Sequence, residues 1–86
     1  MNLDPIETSI LALTAARGPD ASICPSEVAR ALQPGDWRPL MTPVRQAALR
    51  LQAAGRVEIL RKGRAVAAEA VRGVIRLRAA PTPDAA

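Results

Sequence analysis

The sequence contains no histidine, tyrosine or phenylalanine, and it has a single cysteine, Cys24, and a single tryptophan, Trp37. One cysteine cannot form an internal disulfide, and the chain lacks the roughly four Cys or His ligands that a structural zinc site takes. Without histidine, no serine or cysteine can be activated in the manner of a catalytic triad. We therefore expect neither a metal nor a cofactor, and no enzymatic activity.

Aromatic residues make up only 1% of the chain, so the core has to be aliphatic, and stacking of nucleic-acid bases on aromatic rings is not expected. No apolar run approaches the ~18 residues of a membrane helix. The opening segment, residues 1–5, contains an acidic residue and lacks the basic start of a signal peptide. The expectation is a cytoplasmic protein of one domain, without a membrane segment.

Charge is distributed unevenly along the chain. Residues 1–36 hold five acidic and two basic side chains, a net −3, whereas residues 37–78 hold ten basic and two acidic ones, a net +8. Nine of those ten cations are arginine, which binds phosphate and guanine through paired hydrogen bonds. This asymmetry favours an anionic partner for the C-terminal half.

Two helices are predicted in the N-terminal half. Asp4-Pro5 is a helix-start signal and Arg17-Gly18-Pro19 is a stop signal, so the first helix should cover residues 5–16. The second helix should begin at Cys24-Pro25-Ser26-Glu27, which resembles a capping box with cysteine in the place of Ser or Thr. Between the two helices, Ser22-Ile23 is expected to pair as a short edge strand.

A third helix is predicted after a short helical turn at residues 36–40. Thr42-Pro43, a capping residue followed by proline, indicates its start, and Gly55 indicates a left-handed cap at its end. Four apolar positions recur at helical spacing and should face inward: Val44, Ala47, Ala48 and Leu51.

Beyond Gly55 the apolar period changes from that of a helix to that of a strand. Residues 56–61 and 74–78 alternate apolar and charged side chains, which predicts two antiparallel strands with one apolar face. Lys62-Gly63 should form a turn that leads to a short strand over residues 64–66. Residues 67–72 are compatible with a helical turn.

This order of elements predicts a fold that is mainly α with a small β-hairpin. It is the winged helix-turn-helix arrangement, a three-helix core plus a wing. The domain should span residues 1–78. Residues 79–86, which include Pro81 and Pro83, should form a disordered tail.

Several segments resemble a known family. The most specific are Ile23-Cys24-Pro25-Ser26-Glu27-Val28-Ala29-Arg30-Ala31-Leu32 and Arg72-Gly73-Val74-Ile75-Arg76-Leu77, and weaker matches are Trp37, Leu40-Met41, Val44-Arg45 and Gly55-Arg56-Val57. They are similar to a small bacterial family that is classed as a domain of unknown function and is itself similar to winged-helix proteins. The resemblance covers residues 5–78, with a departure at Ala67-Ala68, where the family pattern has a helix-starting pair such as Asp-Pro. It implies the fold and no established activity.

In a winged helix, the third helix is the recognition helix and the hairpin loop is the wing. The predicted contacts to duplex DNA lie on both, namely Thr42, Arg45, Gln46 and Arg50 on the helix and Arg61, Lys62 and Arg64 on the wing. Arg45 and Gln46 lie near the helix start, where side chains meet base edges, and they are expected to read guanine and adenine. Arg50 is expected to contact a phosphate, and the wing cations are expected to contact adjacent phosphates or the minor groove.

The alternative is a protein-interaction module that uses the same scaffold without binding DNA, with a second copy or another protein as its partner. Leu49, on the outward face of the third helix, favours this alternative. So does the acidic N-terminal half. Trp37 has two interpretations, because tryptophan is enriched at interface hot spots, whereas a lone tryptophan near a helix junction more often covers the core. Taken one by one, the arginines are also compatible with an ordinary solvated surface.

Overall fold

Three helices and a short antiparallel sheet make up residues 3–81, the part of the chain that the computed structural model describes. The helices are α1 (Pro5–Arg17), α2 (Pro25–Leu32) and α3 (Met41–Ala53), and the strands are β1 (Val57–Arg61), β2 (Arg64–Ala65) and β3 (Arg76–Ala79). Single 3₁₀ turns at Arg38–Leu40 and Ala68–Ala70 agree with the two helical turns expected from the sequence. The predicted fold class, mainly helical with a small wing, is confirmed.

Side-chain capping starts α1 and α2. Asp4 Oδ1 accepts a hydrogen bond from the Glu7 amide at 2.7 Å, and Glu7 Oε1 accepts one from the Asp4 amide at 3.0 Å, which completes a capping box. At α2, Glu27 Oε2 accepts from the Cys24 amide at 2.8 Å. That bond, opposed by partial burial and helped by Arg17, holds the pKa of Glu27 below its ordinary value of 4.5.

The start of α3 differs from the prediction, because Thr42 is not its cap. The 3₁₀ turn at Arg38–Leu40 runs directly into the helix, whose first residue is Met41. Leu40, the residue before it, already has helical backbone angles (φ −81°, ψ −9°), so the extended capping residue that Thr42 was expected to supply is not needed. Thr42 instead lies exposed within the first turn.

The end of α3 agrees with the prediction. Gly55 adopts a left-handed φ of +74°. Its amide donates to the Gln52 carbonyl at 2.9 Å, and the Arg56 amide donates to the Leu51 carbonyl at 2.8 Å. These two bonds form a Schellman motif, which satisfies carbonyls at the helix end and turns the chain into β1.

One aliphatic cluster joins the helices to the sheet. Its buried members are Ile10, Ile23, Val28, Ala29, Val44, Ala47, Ala48, Leu51, Val57, Ile59, Ile75 and Leu77. The predicted inward face of α3 is therefore confirmed. Thr14 of α1 is also buried, and its hydroxyl donates to the Ile10 carbonyl at 2.8 Å, so its burial leaves the hydroxyl hydrogen-bonded.

β1 is the central strand of a sheet with the order β2-β1-β3, and both pairings are antiparallel. The register places Ile59 opposite Leu77, with both side chains in the core. Ile23 adds the predicted edge contact, because its amide and carbonyl exchange hydrogen bonds of 2.8 Å with Leu77. The sheet thus ties the segment before α2 to the last strand.

The last strand lies later in the chain than predicted. It begins at Arg76 instead of Val74 and ends at Ala79, which pairs with Val57. The Ala80 amide also donates to the Arg56 carbonyl at 3.3 Å. Ala79 and Ala80, which were assigned to a disordered tail, are therefore tied to β1 and the residue before it. Residues 82–86 of that predicted tail lie outside the described residues. No helix within residues 3–81 is both long enough and apolar enough to cross a membrane.

Candidate nucleic-acid interface

The candidate interface is built around the wing, defined here as residues 61–75, from the last residue of β1 to the residue before β3. Lys62 and Gly63 both have left-handed φ angles, +53° and +79°, and they form the two-residue loop between β1 and β2. Positive φ at both central residues is the geometry of a type I′ hairpin turn. The turn places Arg61 directly opposite Arg64.

Two hydrogen bonds hold the wing against α3. Gln52 Nε2 donates to the Val66 carbonyl at 2.6 Å, and the Arg45 guanidinium donates to the Gly73 carbonyl. Arg45 and Gln52 are two turns apart on one side of α3. The wing is therefore anchored at Val66 and at Gly73 to the same flank of α3, here called the wing flank.

The exposed start of α3 lies beside this flank. Thr42 and Gln46, two of the predicted base-contacting residues, are exposed, and neither side chain makes a hydrogen bond within residues 3–81. Leu49, which was also predicted to face outward, is half-buried and packs against the core cluster. Thr42 and Gln46 are thus free to meet a partner, whereas Leu49 contributes to the fold.

The two predicted helix arginines are not brought together. Arg45 is half-buried, and its bond to Gly73 makes it an anchor for the wing. Arg50 lies on the opposite flank, here called the α1 flank, with its guanidinium 2.9 Å from Asp4 Oδ2 and 3.1 Å from Glu7 Oε2. The carboxylates that cap α1 thus neutralise a cation that the sequence assigned to DNA phosphate.

The wing cations have a different environment. Within residues 3–81, no carboxylate forms an ion pair with Arg61, Lys62, Arg64 or Arg72. Lys62, Arg64 and Arg72 are exposed and Arg61 is half-buried. Arg72 was not among the predicted contacts, because the sequence does not show which part of the long wing segment stays uncovered.

The remaining cations are largely engaged elsewhere. Arg17 and Arg78 pair with Glu27 and Glu58. The guanidinium carbons of Arg30 and Arg38 lie 4.5 Å and 4.7 Å from the ring centroid of Trp37, which is half-buried against the core cluster. Trp37 therefore has a structural role. Its ring also makes cation–π contacts with both of these arginines.

The helices, the sheet and the basic wing beside α3 define a winged-helix protein. The chain belongs to the family described as a protein of unknown function (DUF3253), which matches residues 3–80. The resemblance to a domain of unknown function that the sequence indicated is thereby confirmed. No curated protein matches the chain.

Proposed function

We propose that this protein binds duplex DNA through its wing and the first turns of α3. The observation that carries the proposal is the group of wing cations without carboxylate partners in residues 3–81, next to the exposed Thr42 and Gln46. The phosphate backbone of DNA supplies the opposite charge along a continuous edge. A cluster of cations also steers an anionic partner toward itself.

The two parts of the interface have different tasks. Arg61, Lys62, Arg64 and Arg72 contact phosphates, which position the protein without reading the base sequence. Gln46 donates to and accepts from an adenine edge, and the methyl group of Thr42 contacts thymine. Arg45 supports both parts, because its bond to Gly73 keeps the wing beside the helix.

Salt dependence of binding tests the electrostatic part. The logarithm of the association constant falls with the logarithm of salt concentration by about 0.9 for each phosphate neutralised. Four wing contacts therefore predict a slope of about −4. Fluorescence anisotropy with a labelled, mixed-sequence duplex, measured between about 50 and 200 mM salt, determines this slope.

Arg64→Ala and Arg56→Ala form a matched pair for that titration. Both arginines are exposed, but Arg64 follows the wing turn and Arg56 precedes β1 at its far end. Arg64→Ala should reduce the slope by about 1, whereas Arg56→Ala should leave it unchanged. An equal loss in both variants, or no duplex binding by micromolar protein at low salt, contradicts the proposal.

A protein-interaction role is the second candidate, and one observation favours it. Leu32, at the end of α2, is an apolar side chain that is 38% exposed. Leu49 no longer supports this role, because it packs against the core. Sedimentation experiments over a range of concentrations test this second role. It is favoured if the protein forms a dimer, if Leu32→Ser dissociates that dimer, and if the protein does not bind duplex DNA. If the protein is strictly monomeric and binds duplex DNA, an interaction between two copies of the chain is excluded.

A further inference from the structure

A hollow of about 430 Å³ lies between the wing turn and the segment that leads into β3. Its walls are Arg61, Lys62, Gly63, Val74 and Arg76. Three of these five residues are cations, and none is a carboxylate. The hollow is larger than a water site and falls within the range of roughly 300–1,000 Å³ that ligand pockets occupy.

Hydrogen bonds to residues outside the hollow fix the position of its wall. Arg76 Nε donates to Ser22 Oγ at 2.6 Å, and Arg76 Nη2 donates to the Ser22 carbonyl at 2.8 Å. A guanidinium has about five N–H donors, so Arg76 keeps several for a ligand while its position is set. On the same wall, the bond from Arg45 to Gly73 holds the backbone next to Val74.

Two features of this wall reduce the stability of the fold. Lys62 adopts φ +53°, a left-handed conformation that is unfavourable for a residue with a long side chain. Arg61 and Arg64 are direct cross-strand partners, and like charges in that position repel. Both features bring positive charge to the same place. The type I′ turn requires this φ at Lys62, and Lys62 and Arg61 both line the hollow.

We propose that this hollow is a phosphate-binding site, which takes the phosphoryl group of a nucleotide, either free or within a DNA strand. The three cations contact the phosphate oxygens, and Val74, which is 85% exposed at the rim, contacts the sugar or base. The site shares Arg61 and Lys62 with the duplex interface proposed above. It involves neither Thr42 nor Gln46, so each proposal can fail without the other.

Amide chemical shifts of the full chain test the site. The probes are inorganic pyrophosphate, adenosine diphosphate and a short mixed-sequence duplex, each compared with sodium chloride at the same ionic strength. The amides of residues 61–63 and 73–76 should shift with pyrophosphate, and more strongly with adenosine diphosphate. A shift with adenosine diphosphate assigns the site to a free nucleotide, and a shift with the duplex alone assigns it to a strand phosphate.

Two arginines of β3 supply the matched variants. Arg76→Gln removes a positive charge from the wall of the hollow. Arg78→Gln removes a positive charge that pairs with Glu58 and lies outside the lining of the hollow. Arg76→Gln should weaken binding of the effective probe about tenfold, because a charge-assisted hydrogen bond is lost. Arg78→Gln should weaken it by less than about twofold. If Arg76→Gln loses its amide dispersion, Lys62→Gln in the exposed turn replaces it, with the same expected loss.

Several results overturn the inference. One is that no probe shifts the amides around the hollow, and another is that Arg76→Gln and Arg78→Gln bind equally well. Duplex shifts confined to residues 42–46 overturn this site and leave the duplex proposal standing. Binding of adenosine diphosphate without any duplex binding supports this site and overturns the duplex proposal.

Discussion

The two flanks of α3 differ in the groups that their arginines contact. On the α1 flank, Arg50 lies between Asp4 and Glu7, the residues that cap α1. On the wing flank, Arg45 and Gln52 donate to backbone carbonyls of the wing, and the wing cations have no carboxylate partner within residues 3–81. Both arginines of α3 are thus engaged within the fold, whereas the cations of the wing have no carboxylate partner in that part of the chain.

The difference arises because the acidic residues near α3 are the ones that cap the start of α1. A carboxylate in the first turn stabilises a helix through its unpaired amides, so α1 begins with Asp4 and Glu7. Packing of α1 against α3 then brings these carboxylates to Arg50. The wing begins with a hairpin turn and has only Glu69 as an acidic residue. The net charge of the C-terminal half therefore overstates the positive charge of α3 that is left without a carboxylate partner.

The largest expected effect tests whether the two regions unfold as one unit. Ile75 at the root of the wing and Ile10 in α1 are 2% and 0% exposed and belong to one cluster. Ile75→Ala and Ile10→Ala should each lower the free energy of unfolding by about 2–5 kcal/mol. Denaturant unfolding followed by Trp37 fluorescence and by far-UV circular dichroism should give coincident transitions. If Ile75→Ala leaves the fluorescence transition at its wild-type position, the wing folds independently of the helices.

The next effect concerns the anchor between α3 and the wing. Arg45→Ala should lower the free energy of unfolding by about 0.5–1.5 kcal/mol, because the Gly73 carbonyl loses its donor. Hydrogen exchange should become faster at the amides of Val74 and Ile75, and Gln46→Ala, which changes an exposed neighbour, should have neither effect. Duplex affinity should fall with an unchanged salt slope. A slope that falls by about 1 would show that Arg45 contacts a phosphate directly.

A smaller effect, opposite in sign, is expected at the wing turn. Lys62→Asn should raise the free energy of unfolding by roughly 0.5–1 kcal/mol, because asparagine tolerates the left-handed conformation at this position. Lys62→Gln removes the same charge and keeps the strain. Thermal unfolding should therefore separate the two variants, while duplex binding should weaken equally in both. An equal gain in stability would attribute the strain to repulsion among the wing cations instead of to the backbone.

The smallest effect is expected on the α1 flank. Arg50→Ala should change duplex affinity by less than about threefold, and stability by no more than about 0.5 kcal/mol, because its side chain is 51% exposed. The measurement is the salt titration described above, with Arg64→Ala as the comparison. A loss in Arg50→Ala as large as that in Arg64→Ala would mean that Arg50 leaves its carboxylates for DNA, and the distinction between the flanks would fail.

Local signals in the sequence were sufficient for most of the fold. The Asp4 cap, the Gly55 stop and the Lys62-Gly63 turn each depend on residues that are close neighbours in the chain. Thr42 was misassigned because a 3₁₀ turn had already started the helix, and the sequence pattern of a cap does not reveal the backbone angles before it. The strand after Gly73 was placed too early, since Val74 continues the apolar pattern and yet lies exposed.

The site was less predictable, because its contacts join distant parts of the chain. Arg50 reaches Asp4 across 46 positions, and Arg45 reaches Gly73 across 28. Neither contact can be predicted from helical spacing, which indicates only that both arginines point away from the core. The DNA-contacting roles of Thr42, Gln46 and the wing residues stay predictions.

By itself, the sequence determined the number and order of the helices, the aliphatic core and the concentration of cations after residue 37. These properties follow from periodicity, capping and composition, which act over a few residues. Only the tertiary structure decided which cations are neutralised, which hold the wing and which surround the hollow beside Val74. The pairing of a charge depends on what is packed against it, and that is set by the docking of α1 and the wing onto α3.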